Sequence, residues 1–129
     1  MLVVDASVIA PAIADGGLDG DTCRARIKGQ SIAAPDLLRV EVVSVLRRQA
    51  HRGELSPRQT TNAIDDLMNL PIVVYPTAPL LRRCWELRAN VTAYDACYVS
   101  LAEALDCTLL TADSRLASAP GARCQFDVV

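Results

Sequence analysis

Apolar positions along this chain fall into two patterns. Short unbroken runs, Leu2-Val3-Val4, Ile72-Val73-Val74-Tyr75 and Cys107-Thr108-Leu109-Leu110, are too short for helices and lack the alternation of a strand with one wet face. Such runs predict strands buried on both sides. Ser31-Ile32-Ala33-Ala34 is a weaker run of the same kind, and a last strand is expected near Cys124-Gln125-Phe126. Between these runs, apolar residues recur at helical spacing, predicting helices over about 6–14, 18–28, 37–51, 57–68, 79–89 and 92–105, with a short helical turn after Asp113. The stop and start signals agree: Asp15-Gly16-Gly17, Gly29 and Gly53 follow helices, Ser56-Pro57 opens one, and Pro71 ends it. Strands separated by helices imply a three-layer α/β/α fold around a parallel sheet of four or five strands. Such sheets bind ligands at the carboxyl ends of their strands, where the strand order reverses.

With 129 residues, 51% of them hydrophobic and 22% charged, the chain is sized for a single domain spanning 1–129 with a core of its own. It shows no internal repeat and no low-complexity tract. No apolar run approaches the ~20 residues of a membrane span. The apolar opening is cut off at Asp5 and has no basic start, so no signal peptide is expected and a cytoplasmic location is. Cys23, Cys84, Cys97, Cys107 and Cys124 are scattered and never spaced C-x-x-C, which reads as small buried thiols. His51 is the only histidine, which disfavours serine, cysteine or zinc chemistry that leans on histidine. A hydrolase here has to work through carboxylates. The net charge of −2 combines 12 Arg and one Lys with 15 acids, so any nucleic-acid contact requires a local patch.

Most acids have ordinary explanations. Asp15, Asp19 and Asp21 lie among turn and cap positions, Asp65 and Asp66 read as a solvated helix face, and Glu86 and Glu103 as surface-helix positions. Four do not. Asp5 ends the first strand and Asp113 follows the fourth, so neighbouring first and fourth strands put both carboxylates in one crevice. Glu41 shares its helix face with Leu37, Leu38, Ser44 and Val45, an apolar setting in which a glutamate needs a reason, a salt bridge to an arginine being the structural one. Asp95 has Tyr98, Val99 and Ala102 on its face, although its place in the first helical turn also suits the helix dipole. Two unit charges 4 Å apart repel by about 4 kcal/mol at an effective dielectric of 20, so a cluster of four acids persists only if protonated or loaded with cations. Oxygen-only ligands select hard ions, Mg²⁺ or Mn²⁺, and a pair of such ions activates water against a phosphodiester. Ser7 and Thr111, two residues from Asp5 and Asp113, are placed to orient a carboxylate or to cap a turn.

The segments VDASVIA, RVEVVSVLRR, TAYDACYVSLAEAL and LLTADSRLA, in that order and spacing, resemble the PIN-domain ribonucleases, and within them the VapC toxins of type II toxin–antitoxin pairs. The resemblance spans essentially the whole chain. It implies strand order 3-2-1-4-5 and Mg²⁺- or Mn²⁺-dependent endonucleolytic cleavage of RNA, in single strands or structured loops, leaving a 5′-phosphate and a 3′-hydroxyl. By position, Asp5, Glu41, Asp95 and Asp113 match the acidic quartet that serves as catalytic and metal-binding set, with Asp5 and Asp95 the firmest ligands. Ser7 matches a small hydroxyl after the first acid, and Arg115 lies where a phosphate contact is plausible. The resemblance also implies a homodimer silenced by a VapB-type antitoxin, seated in a groove that includes Val8, Ile9, Ile13, Leu46 and Leu67.

Two enzymatic rivals fail on named residues. A phosphorelay receiver needs paired acids after its first strand and a lysine after its last, but Asp5 is followed by Ala6-Ser7 and the only lysine is Lys28. A haloacid-dehalogenase-type phosphatase needs Asp-x-Asp, where this chain has Ser7. The remaining alternative is a non-catalytic PIN-like module that binds RNA or protein.

Overall fold

The computed structural model describes the whole chain, Met1–Val129. In chain order the elements are β1 (Leu2–Val4), α1 (Ala6–Ala14), α2 (Leu18–Ile27), β2 (Ile32–Pro35), α3 (Leu38–His51), α4 (Pro57–Asn69), β3 (Ile72–Tyr75), a 3₁₀ turn (Ala78–Leu80), α5 (Leu81–Glu86), α6 (Ala93–Leu105), β4 (Thr108–Thr111), α7 (Ser114–Ala117) and β5 (Phe126–Val128). The five strands form one parallel sheet in the order β3-β2-β1-β4-β5. β1 is central: Leu2 pairs with Ile32 on one side and Thr108 on the other, and Val4 is level with Leu110. Asp5 and the residues after Thr111 therefore emerge side by side from neighbouring strands, at the edge where such sheets place their sites.

Local chemistry accounts for most boundaries. Asp5 caps α1 through its side chain, and Ser56 and Gln59 close a reciprocal capping box at the start of α4. Gly29, at φ +73, makes the left-handed step that releases the chain after α2. Gly20 is required by contact: a Cβ there would stand 1.9 Å from the Asp15 carbonyl oxygen and 2.8 Å from that of Pro11, so only glycine lets α2 lie this close to the end of α1.

The core is one cluster of 28 buried residues drawn from both faces of the sheet and the flanking helices. Val3, Val4, Ala33, Ala34, Leu109 and Leu110 are wholly buried, as expected for central strands. The edge strand β3 departs from two-sided burial, with Val73 and Val74 both substantially exposed, because only one neighbour covers it. The helix expected over 79–89 is shorter than its pattern. Pro79 sits in a 3₁₀ turn, and α5 stops at Glu86, where the Leu87 N–H is shared between the carbonyls of Arg83 and Cys84. All five cysteines are free, with Cys23, Cys84 and Cys97 in the core and Cys107 and Cys124 partly covered. No helix is long and apolar enough to cross a membrane.

Two readings of side-chain placement need correction. Val8, Ile9, Leu46 and Leu67 do not line a groove; they are fully buried beneath α1, α3 and α4, and of the five residues assigned there only Ile13 reaches the surface. Helical spacing identifies the inward stripe but not whether another element already covers it. Glu103 is not a surface residue. Its side chain is only 13% exposed and is held by Arg83, whose Nε and Nη2 donate to its two oxygens at 2.7 and 3.0 Å.

Candidate functional site

Asp5 is the best-defined member of the acidic set. It is only 5% exposed and is the one charged residue among the buried ones, where the other two polar residues are Thr111 and Ser100. Its Oδ1 accepts the Ser7 N–H at 3.0 Å and the Ser7 hydroxyl at 2.5 Å, while Oδ2 accepts the Thr111 hydroxyl at 2.5 Å. Each hydroxyl is itself an acceptor: Ser7 Oγ from the Ala112 N–H at 2.9 Å, Thr111 Oγ1 from the Asp113 N–H at 3.0 Å. A hydroxyl has one hydrogen to give, and both give it to Asp5. The two hydroxyls singled out in the sequence thus tie the carboxyl end of β1 to that of β4 and fix the carboxylate. Burial pushes the Asp5 carboxyl above its ordinary range, the Ser7 and Thr111 hydrogen bonds pull it back, and the Asp95 charge adds to the upward shift.

Glu41 stands at the border of the buried stripe Leu38, Val42 and Leu46 on α3. It makes no ion pair, and the salt-bridge explanation is set aside: the chain's ion pairs are Arg24–Asp21, Arg26–Asp127, Arg83–Glu86 and Arg83–Glu103. Instead, Glu41 Oε1 accepts the Tyr98 hydroxyl at 2.7 Å, and Tyr98 is only 1% exposed. Tyr98, one turn after Asp95 on α6, is the residue that sequence reasoning missed. Its position three after the acid was visible, but only the packing of α6 against the sheet shows that its hydroxyl reaches α3. Burial raises the Glu41 carboxyl, the Tyr98 hydrogen bond opposes the rise, and Asp95 and Asp5 reinforce it.

Asp95 lies in the first turn of α6, where its N–H donates to the capping Thr92 hydroxyl at 3.2 Å. Placement on the helix dipole is therefore real, and it coexists with the acidic surroundings. Burial raises its carboxyl, the Thr92 hydroxyl lowers it, and Asp113 raises it further. Asp113 caps α7, its Oδ1 accepting the N–H groups of Arg115 and Leu116 at 2.9 and 3.3 Å. Asp95, Asp113 and the exposed Arg115 line one cleft of about 340 Å³ together with Thr92 and Asn90.

The four acids are linked through space by the charge interactions Asp5–Asp95, Asp5–Glu41, Glu41–Asp95 and Asp95–Asp113. No three of the chain's Asp, Glu, Cys or His side chains close into a ready-made metal cluster. What they form is a partly desolvated oxygen-donor surface in which none of the four acids makes an ion pair, Arg115 standing exposed in the cleft beside Asp95 and Asp113. That donor set would fit a hard divalent ion, which would supply the missing charge.

Comparison with known proteins places this geometry. The PIN domain family matches residues 2–122. Ribonuclease VapC1 of Mycobacterium tuberculosis is 45% identical over 128 residues, covering 98% of this chain and 96% of that protein. Among solved structures, Mycobacterium tuberculosis VapC20, described as a sarcin–ricin loop cleaving toxin, superposes with a TM-score of 0.72 at 15% identity, covering 92% of this chain and 94% of that one. VapBC2 from Rickettsia felis, bound to a DNA fragment from its promoter, gives 0.64 at 16% identity, covering 98% and 97%. At these identities the two structural matches speak for the fold.

Proposed function

Since the chain belongs to the VapC ribonucleases of the PIN domain family, we propose that it is the endoribonuclease toxin of a type II toxin–antitoxin pair, hydrolysing RNA with Mg²⁺ or Mn²⁺ held by Asp5, Glu41, Asp95 and Asp113. The observation that carries this reading is Asp5: a buried carboxylate with no cationic partner, gripped through both oxygens by dedicated hydroxyls and facing two further acids. A buried charge left uncompensated costs stability, and a non-catalytic RNA- or protein-binding module of the same fold has no use for it.

The chain's own residues divide the work. Ser7 and Thr111 hold Asp5 in place at the carboxyl end of β1. Tyr98 holds Glu41 by one oxygen and leaves the other free. Asp95 is presented by the first turn of α6, and Asp113 spends one oxygen on capping α7. Arg115, exposed beside Asp95 and Asp113, is available to a phosphate. A divalent ion held by Asp5, Glu41, Asp95 and Asp113 would supply water activation and charge stabilisation for hydrolysis of the phosphodiester to 5′-phosphate and 3′-hydroxyl ends. The partners proposed are RNA, in single strands or loops, a second copy of the chain, and a VapB-type antitoxin in the cytoplasm. The VapBC2 assembly, whose subunit shares this fold, supports the last partner.

The test is cleavage of single-stranded RNA with Mn²⁺ by purified protein and by the Asp5→Asn variant side by side. Cutting by the wild type alone is expected. Equal cutting by both would identify a contaminating nuclease and end the proposal.

A further inference from the structure

A second cleft opens beside Glu41. It holds about 330 Å³ and is lined by Val40, Glu41, Ser44, Val45, Arg48 and Tyr94. Three of its features are unexplained by the fold. Tyr94 is 64% exposed although α6 is otherwise buried from Ala96 to Ala102, and Val40, on the opposite wall, is 72% exposed. Arg48 makes no ion pair, its one recorded partner being the Ser44 hydroxyl at 3.3 Å. Arg47 on α3 and Arg52, the residue capping its end, are likewise exposed and free of ion pairs, so this end of the helix is locally cationic on a chain of net charge −2. Glu41 belongs both to this cleft and to the acidic site, and Tyr94 is the residue before Asp95.

We infer that this cleft is a nucleotide subsite, seating the unpaired base next to the cleaved bond against the Tyr94 ring and its phosphate on Arg48. An aromatic face bordered by an unpaired guanidinium matches the chemistry of a single-stranded nucleotide, a base to stack and a phosphate to pair. Arg48 lies two turns, about 10 Å, along α3 from Glu41, so a strand whose phosphate is at the acids passes this cleft before reaching Arg52. Stacking accepts any base, so the subsite sets register and affinity more than sequence. The inference rests on the ribonuclease reading for its substrate and not for its geometry.

The experiment measures equilibrium binding of a fluorescent single-stranded RNA decamer to Asp5→Asn protein, alone and combined with Tyr94→Ala, Tyr94→Phe or Arg48→Ala. Sedimentation is run on each protein, and steady-state cleavage is measured for the same Tyr94 and Arg48 substitutions in the wild-type background. Tyr94→Ala is expected to weaken binding about tenfold, the order of one lost base stack, and to raise KM correspondingly, with Tyr94→Phe recovering most of the affinity. Arg48→Ala is expected to lower the salt slope of binding by about 0.7, one phosphate's worth on a single strand. Unchanged affinity in Tyr94→Ala, or a Tyr94→Phe variant as weak as Tyr94→Ala, would overturn the subsite. So would dissociation of a dimer by these substitutions, since the cleft would then be an interface between copies of the chain. Ring-dependent binding by a protein that never cleaves would support the subsite and sink the nuclease reading, which keeps the two failures apart.

Discussion

Two carboxylate regions on the same helix are treated in opposite ways. Near the start of α6, Asp95 faces Asp5, Glu41 and Asp113, and no lysine or arginine neutralises any of them. Two turns on, about 12 Å along the axis, Glu103 is gripped by Arg83 and by the Arg123 N–H, while Arg83 also donates to Glu86 and to the Gly121 carbonyl. Burial pushes the carboxyls of Asp5, Glu41, Asp95 and Glu103 upward. At Glu103 the arginine and the backbone donor reverse that push and hold it below its ordinary value, whereas at Asp5, Glu41 and Asp95 the push prevails. The Glu103 clamp completes its own charge and ties α5, α6 and the loop before β5 together. The acidic site leaves its charge unpaired, which costs stability.

The largest test of this contrast is Asp5→Asn. Asparagine caps a helix as well as aspartate, and the relief of a buried charge offsets the hydroxyl hydrogen bond that its amide nitrogen cannot accept, so the variant should melt close to the wild type in metal-free buffer. Cleavage should fall on the order of 10³-fold, because charge stabilisation by a bound ion is worth several kcal/mol and each 1.36 kcal/mol is tenfold in rate. A large drop in melting temperature would make Asp5 a structural residue and erase the distinction. Arg83→Met reverses the pattern. Stranding a largely buried Glu103 should cost about 2–3 kcal/mol, since hydrogen bonds to charged groups carry that order of energy, and should lower Tm by roughly 6–12 °C. Cleavage measured well below the melt should stay close to wild type, and lost activity in a folded Arg83→Met protein would connect the two regions.

A smaller effect is expected at Tyr98. Groups that orient a metal ligand are typically worth 10–100-fold in metal affinity, so Tyr98→Phe should weaken Mn²⁺ binding by about tenfold in a calorimetric titration. Unchanged affinity would show that Glu41 needs no positioning. The smallest effect is on pH dependence without divalent ions. At Asp5, Glu41 and Asp95 the folded pKa lies above the unfolded values of 3.8, 4.5 and 3.8. The folded state therefore binds more protons between the two values, and stability rises as pH falls through that window. Glu103, lowered from 4.5, does the opposite: its contribution is present above the unfolded value and lost as pH falls through the folded one. Denaturant titrations across that range should show Glu41→Gln losing the acid-side gain and Glu103→Gln losing the acid-side loss. Identical pH profiles for the two variants would remove the electrostatic basis of the comparison.

The sequence carried more of this than the surface positions suggest. Buried central strands must be continuously apolar and helix ends must be capped, so β1, α1, α3, α4, α6 and the order of elements were legible from local pattern. The same reading singled out Glu41 and Asp95, because a carboxylate on an apolar face is rare enough to need a cause, and Asp5 and Asp113, because they follow the first and fourth strands. Tertiary structure decided what each side chain meets. Glu103 and Glu41 both sit on amphipathic helices, and nothing within either helix foretells that one faces Arg83 and the other Tyr98. Likewise, Val8, Ile9, Leu46 and Leu67 have the spacing of a packing face, and only the placement of the helices makes that face internal. Periodicity along a helix is a one-dimensional signal set by backbone geometry. The partner of a charge is a distance between segments far apart in the chain, and that distance exists only once the sheet has brought β1, α3, α6 and β4 to a common edge.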